Sequence, residues 1–225
     1  LLGWQCGKLA RRVLARRSFA ALRRKEWVME PQFGYWPEFE SIPDHCCLSG
    51  YWQSEKYFKR YESAIRGEFA FRHPLDARNA ELAAEIGSVS AVSLHVRRGD
   101  YSSNPKTRAI HGLCSLEYYR AAIEHIAKRV ELPCFFVFSD DIGWARDHLD
   151  VGFRCSFIGH NQGERNFVDM HLMSLCKHHI IANSSFSWWG AWLNPDPEKT
   201  VIAPRRWFAN DTPTGDLIPE EWVRL

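Results

Sequence analysis

The chain has 225 residues, 45% hydrophobic and 25% charged, a globular composition that excludes disordered, collagen-like and coiled-coil classes. That length holds one large domain or two modest ones, and no run approaches the roughly 18 apolar residues of a membrane-spanning helix. Net charge is +2 but unevenly placed: residues 1–25 hold eight basic residues and no acid, which leaves the rest at −6.

The basic leader (Lys8, Arg11, Arg12, Arg16, Arg17, Arg23, Arg24, Lys25) suits an anionic lipid surface or a solvated helix or loop. On a helical wheel Arg12, Arg16 and Arg23 cluster, whereas Arg11 and Arg17 point elsewhere, a poorer segregation than a strong membrane-surface helix shows. The expectation is a cytoplasmic protein, with peripheral contact to the inner face of the membrane through residues 1–25 and no nucleic-acid partner. Seven cysteines, an odd number without a Cys-x-x-Cys pair, fit reduced thiols rather than a disulfide framework. The chain lacks an initiating Met and a signal-peptide pattern, so it reads as a fragment without its natural N-terminus. Residues 1–85, basic, then aromatic and punctuated by Pro31, Pro37 and Pro43, read as part of a first lobe plus a connection.

Residues 86–225 alternate apolar runs with helical periods. Val89–Val96 is rich in strand formers. Tyr119, Ala122, Ile123, Ile126, Ala127 and Val130 recur at helical spacing over Leu116–Val130, with Ser115 as N-cap. Strands are then expected at Cys134–Ser139, Phe153–Ile158, His179–Asn183 and Val201–Ala203. Helices are expected at Ile142–Leu149, Asp169–Lys177 and Ser187–Leu193. Strands apolar on both faces, alternating with helices, imply a parallel sheet covered on both sides: a doubly wound, Rossmann-like α/β domain. Ligands bind such sheets outside the carboxyl ends of the strands, so function is sought in the residues just after each strand.

The first strand ends in His95-Val96-Arg97-Arg98-Gly99-Asp100-Tyr101. Guanidinium forks there can grip phosphate oxygens bidentately, and Gly99 allows close backbone approach; the competing reading is a surface turn with an Arg–Asp pair. After the second strand, Asp140 and Asp141 can hold a metal, a ribose or a sugar hydroxyl, or cap the next helix. After the fourth, Ser184 and Ser185 open a helix whose N-terminus can bind an anion, or serve only as caps. Trp188 and Trp192 share a helix face, as core residues do. His171, Cys176, His178 and His179 lack clean ligand spacing, so no metal is expected. Together, Arg97, Arg98, the Ser184–Ser185 helix start and the acidic strand ends converge on one sheet edge, as a nucleoside-diphosphate site would.

These segments carry a resemblance. His95–Tyr101, Phe138–Asp141, Asp169 through Asn194 and Gly50–Phe58 resemble the bacterial α1,2-fucosyltransferases, over residues 26 to the C-terminus. The His-x-Arg-Arg-x-Asp element is shared with the wider fucosyltransferase superfamily, whereas Asn-Ser-Ser-Phe-Ser-Trp-Trp-Gly-Ala-Trp-Leu-Asn at 183–194 is far more specific. The resemblance implies a two-lobed GT-B-like fold that takes GDP-fucose without metal or other cofactor and inverts the anomeric centre on the 2-hydroxyl of a galactoside acceptor. It implies that Arg97 grips the pyrophosphate, supported by Arg98, that Ser185, beside Ser184, binds the β-phosphate, and that Asp169 reads the guanine. His95 falls in the same donor-binding element, and Asp140 and Asp141 match an acidic pair of the superfamily. Asp100 is the candidate general base, or else an ion pair that orients Arg97 or Arg98. The family's opening Gly-Gly-Leu-Gly-Asn-Gln turn is missing, which implies a truncated first lobe; the rival reading is a binding module left without activity.

Overall fold

A computed structural model of the protein describes residues 27–225. The basic leader, and with it the expected membrane contact, lies outside the described residues. The chain divides into two compact units, with boundaries at Arg60/Tyr61 and around a Pro213–Leu217 excursion. The sequence reading places its boundary at 85/86 instead. The difference is the stretch of two helices, Glu62–Glu68 (α1) and Ala77–Ser88 (α2), which the contacts assign to the larger unit.

In the smaller unit, Trp27–Met29 (β1) pairs in parallel with Cys47–Ser49 (β2). Glu30 follows β1, and its carboxylate accepts hydrogen bonds from the backbone N–H groups of Tyr51 (2.6 Å) and Trp52 (3.1 Å). A Cβ on Gly50 would lie 2.3 Å from Glu30 Cβ, so this turn requires glycine. The Tyr57 hydroxyl accepts from Trp36 N–H and donates to the Gly34 carbonyl, while its ring packs against Phe39 and Trp52. The Gly50–Phe58 segment thus serves to build this unit.

The larger unit is a six-stranded, all-parallel sheet. Its strands are Ser90–Val96 (β3), Pro133–Ser139 (β4), Cys155–Ile158 (β5), His178–Ile180 (β6), Val201–Ala203 (β7) and Val223–Arg224 (β8). The expected strands are present, with the fourth ending at Ile180, and β8 is added at the edge. Helices Gly99–Ser103 (α3), Pro105–His111 (α4) and Leu116–Ala127 (α5) link β3 to β4. Ile142–His148 (α6), Asn166–Leu175 (α7) and Ser185–Leu193 (α8) make the later crossovers. Alternate residues of β3 and β4 enter separate cores. Val92, Leu94, Val96, Phe135 and Val137 pack with α5 residues Tyr119, Ala122, Ile123 and Ile126. Ala91, Cys134, Phe136 and Phe138 pack with Ile86 of α2 and with Val168, Leu172 and Met173 of α7. Each fully buried side chain of this kind contributes about 1.5–3 kcal/mol relative to exposure.

The spatial order is β5-β4-β3-β6-β7-β8. The chain starts in the middle, moves outward through β4 and β5, then returns to lay β6 on the other side of β3. That reversal is the topological switch of a doubly wound sheet, and it opens a crevice between the carboxyl ends of β3 and β6.

Candidate active site

A cavity of about 370 Å³ lies at this edge, and His95, Arg97, Asp140 and Asp169 all line it. Each is brought by a different rule. His95 sits on the face of β3 that also carries Ala91 and Ser93. It is 4% exposed, its Nδ1 has no hydrogen-bond partner among the described residues, and burial, then the Arg97 charge, push its pKa down to about 3. It is therefore a neutral imidazole in the cavity wall, with Nδ1 buried and unpartnered among the described residues.

Arg97 follows directly. One guanidinium nitrogen meets Asp140 at 2.7 Å and the other meets Asp100 at 2.6 Å. Arg98 turns the other way: its Nε approaches Asp141 at 3.3 Å, and its guanidinium lies 3.7 Å from the centroid of the Trp144 ring. Both arginines are thus held by carboxylates and, for Arg98, by an aromatic face. The Asp100–Arg97 pair is the orienting arrangement that the sequence left open beside the base reading.

The two acids after β4 divide the roles that sequence could not separate. Asp141 caps α6 by accepting from Trp144 N–H at 3.2 Å. Asp140 accepts from Arg98 N–H at 2.8 Å and pairs with Arg97. Asp140 also explains Gly99, because a Cβ there would lie 2.5 Å from Asp140 Oδ2. The glycine gives its space to a carboxylate of the protein.

Asp169 does not open its helix, as the expected bounds Asp169–Lys177 would have it. The helix begins at Asn166, so Asp169 is its fourth residue, buried and facing the cavity. Burial raises its pKa to about 6, offset in part by a hydrogen bond from Asn161 at 2.8 Å. The early start has a local cause: the 3-10 turn Gly163–Arg165 runs straight into α7.

Ser184 takes the N-cap position of α8, yet its side chain makes no capping hydrogen bond. Ser184 is buried and Ser185 exposed. Neither lines the cavity, although Phe186, one residue on, does. Among the described residues, no group of three or more His, Cys, Asp or Glu is placed to hold a metal ion. His179 is occupied otherwise: its Nε2 accepts from Asn194 Nδ2 (2.9 Å), so the proton sits on Nδ1 and is donated to Ser93 Oγ (2.8 Å). Asn194 also donates to the Cys176 carbonyl, and Asn183 donates to the carbonyls of His111 and Trp207. The asparagines at both ends of the 183–194 segment are structural ties.

Sequence reasoning missed Asn161, Gln162, Gly163 and Asn166, which complete the cavity wall. The rule that looks just past each strand would have reached Asn161, three residues beyond β5. It was missed because Asn-Gln-Gly resembles any turn.

Fold and crevice define a doubly wound α/β domain whose cavity carries an arginine, a neutral imidazole and a buried carboxylate. The chain belongs to glycosyl transferase family 11, whose profile matches residues 23–225. An α-1,2-colitosyltransferase of Escherichia coli is 44% identical over 179 residues, covering 78% of this chain and 61% of that protein. The O-antigen biosynthesis glycosyltransferase WbnK of Escherichia coli is 40% identical over 61% of this chain and 45% of its own length. Galactoside α-(1,2)-fucosyltransferase 1 of Saimiri sciureus is 29% identical over 82% and 51% respectively. The chain therefore spans between about half and three fifths of these relatives. Among solved structures, the fucosyltransferase NodZ from Bradyrhizobium aligns with a TM-score of 0.35 and 15% identity, over 71% of this chain and 65% of that one.

Proposed function

We propose that the intact protein transfers L-fucose from GDP-fucose to the 2-hydroxyl of a galactoside, inverting the anomeric centre, in the synthesis of a surface glycan or oligosaccharide. The observation that carries this reading is the cavity at the switch point, where Arg97 and Asp169 stand on one wall system with His95 and Asp140. It takes a nucleoside diphosphate by its two ends: the Arg97 fork for the pyrophosphate, a buried carboxylate for the donor edge of guanine. Family membership and the α1,2-linkage named in two of the relatives support the same assignment. A GT-B-type organisation, in which one Rossmann-like unit carries the donor, accommodates it.

The reaction is a single displacement. The acceptor 2-oxygen attacks C1 of fucose, the C1–O bond to the β-phosphate breaks, and GDP leaves from the opposite face. The acceptor proton passes to a carboxylate. Arg97 is the donor aimed at the charge that develops on the leaving group, the kind of preorganised stabilisation that dominates such chemistry, and Arg98, turned onto Asp141 and Trp144, supports the turn that carries it. Ser185, which the resemblance assigns to the β-phosphate, opens α8 one residue before Phe186 of the cavity wall. The reading therefore gives no role to a metal. Asp100 is proposed as the base. Before donor binding it is paired with Arg97, and a pyrophosphate on that guanidinium replaces it as the counter-charge, leaving the carboxylate able to take a proton.

The 44% identity to an α-1,2-colitosyltransferase favours a second donor, GDP-colitose, the 3-deoxy counterpart of GDP-fucose. Cytoplasmic action fits the six described cysteines, all of them free thiols. Among the described residues no helix is long and apolar enough to cross a membrane.

The test is transfer by the intact protein from GDP-fucose and from GDP-colitose to lactose, with and without chelator. Product linkage and anomeric configuration are read by NMR. An α1→2 product insensitive to chelator is expected. Tight GDP binding without transfer from either donor, on any galactoside, would leave a binding module and overturn the enzyme reading.

A further inference from the structure

Asp169 is held by a relay that no sequence motif marks. It is 8% exposed, and its Oδ1 accepts from Asn161 Nδ2 at 2.8 Å, which is its sole hydrogen bond among the described residues. An ionised carboxylate offers about four acceptor sites, and one donor fills only one of them. This one keeps acceptor capacity facing a cavity.

Behind it, Asn161 and Asn79 form a reciprocal amide pair: Asn79 Nδ2 donates to Asn161 Oδ1 at 3.0 Å, and Asn161 Nδ2 donates back to Asn79 Oδ1 at 2.9 Å. Asn79 is 0% exposed and Asn161 4% exposed. At the far end Asn79 Nδ2 also donates to Asp76 Oδ1 at 3.0 Å, and Asp76 is paired with Arg165. The amide orientations are dictated by the ends. A carboxylate only accepts when ionised, so each NH₂ must face its own aspartate, and the amide–amide pair follows. His160 Nε2, 3.0 Å from Asn79 Oδ1, then acts as donor and closes the arrangement.

We infer that Asn161, clamped by Asn79, is a positioning residue that aims the Asp169 carboxylate at the Watson–Crick edge of the donor nucleotide's base and keeps it ionised. Base selectivity would then rest partly on residues that never touch the ligand or touch it only at the wall. The inference builds on the proposed role of Asp169. The hydrogen bond acts in one direction: it favours the anion, against burial, which favours the acid. The charged groups that share its cavity are Arg97 after β3 and Asp140 after β4, while His95 on β3 is neutral; beyond Asn79 lie Asp76, the N-cap of α2, and its partner Arg165 before α7. None is hydrogen-bonded to it, and α8 carries no charge at all. Asn161 is thus the group that sets the titration of Asp169 against its burial.

The experiment measures GDP and ADP affinity by calorimetry between pH 5 and 8, in the intact protein and in Asn161→Ala, Asn161→Ser and Asn79→Ala. ADP carries the same phosphates without the donor edge, so the GDP-to-ADP ratio isolates the base. Loss of one neutral-to-charged hydrogen bond predicts a ratio at pH 7 lowered about 10-fold in Asn161→Ala. The pH at which the ratio falls should move upward, so that part of the loss is recovered at pH 8. Asn79→Ala should shift the same midpoint by less, and ADP affinity should stay within about twofold. A merely structural pair would alter melting temperature and leave the ratio and its midpoint unmoved; that result, or failure of all three variants to fold, overturns the inference. Asp169→Asn separates the two levels. If that variant keeps the parent ratio, the base-reading role of Asp169 has failed; if it loses the ratio while the Asn161 variants keep theirs, only the positioning role has failed.

Discussion

Acid should switch off base selectivity through Asp169, and the size of the effect follows from its burial. Desolvation raises its pKa to about 6, despite the bond from Asn161. Guanine offers two donors, N1–H and the 2-amino group, and only the ionised carboxylate accepts both. With a pKa of about 6 the group is about nine-tenths ionised at pH 7 and about one-tenth ionised at pH 5. The intrinsic GDP-to-ADP preference should therefore fall close to tenfold between those values, about 1.4 kcal/mol. Phosphate titration in the same range affects both ligands alike and cancels in the ratio. His95, whose pKa lies at about 3, stays neutral throughout the window. Asp169→Asn should show a low ratio at pH 7 and no dependence on pH below it, since its amide carries one acceptor and turns an NH₂ toward a donor. Calorimetric titrations of the intact protein at half-unit pH steps give the profile. A ratio that stays flat from pH 7 to 5, or a fall that persists in Asp169→Asn, would refute the assignment of the carboxylate to the base.

Arg97→Lys keeps the charge but loses the fork that spans Asp100 and Asp140; transfer should slow at least about 10²-fold at an unchanged melting temperature, and a normal rate would make Arg97 structural. Gly99→Ala sets a methyl 2.5 Å from Asp140 Oδ2. Thermal unfolding should show a loss of about 1–3 kcal/mol, with lowered transfer as Asp140 releases Arg97; an unperturbed melt and rate would mean that the turn tolerates the shift. Stability should decline in acid through buried neutral histidines: His95 and His179 have folded pKa values depressed by burial, so the unfolded chain takes up protons first. For His95 the contribution is complete above about pH 6.5 and is lost progressively toward pH 3, costing about 2 kcal/mol by pH 5, and His179 adds in the same direction. Asp169 acts in the opposite sense, gaining about 1.4 kcal/mol over the same interval because its folded pKa is raised. Denaturant melts at pH 7 and 5 measure the net loss, and equal midpoints would contradict it.

The strands of the large unit could be read from the sequence because a strand buried on both faces is largely apolar: Cys134–Phe138 is so throughout, and β-formers dominate Val89–Val96 with Ser93 and His95 the buried polar positions. The N-cap at Ser115 was equally local, and its hydroxyl accepts from Tyr118 N–H at 3.2 Å. The polar stretch after β3 gave no such pattern. Helices α3 and α4 are short, half exposed and started at α4 by Asn104 and Pro105, features that also mark loops. Sequence placed Arg97, Arg98, Asp140, Asp141, Ser184 and Ser185 at strand ends, since that depends only on where each apolar run stops. Which of them share a cavity depends on strand order, and order is decided by how the crossovers pack. Pairing β4 with β3 and packing α7 over the same face brought His95, Asp140 and Asp169 round one cavity and left Ser184 and Ser185 outside its lining. The Asn79–Asn161 pair joins residues 82 positions apart; two amides at that separation carry no periodicity and no motif until α2 and the turn after β5 meet.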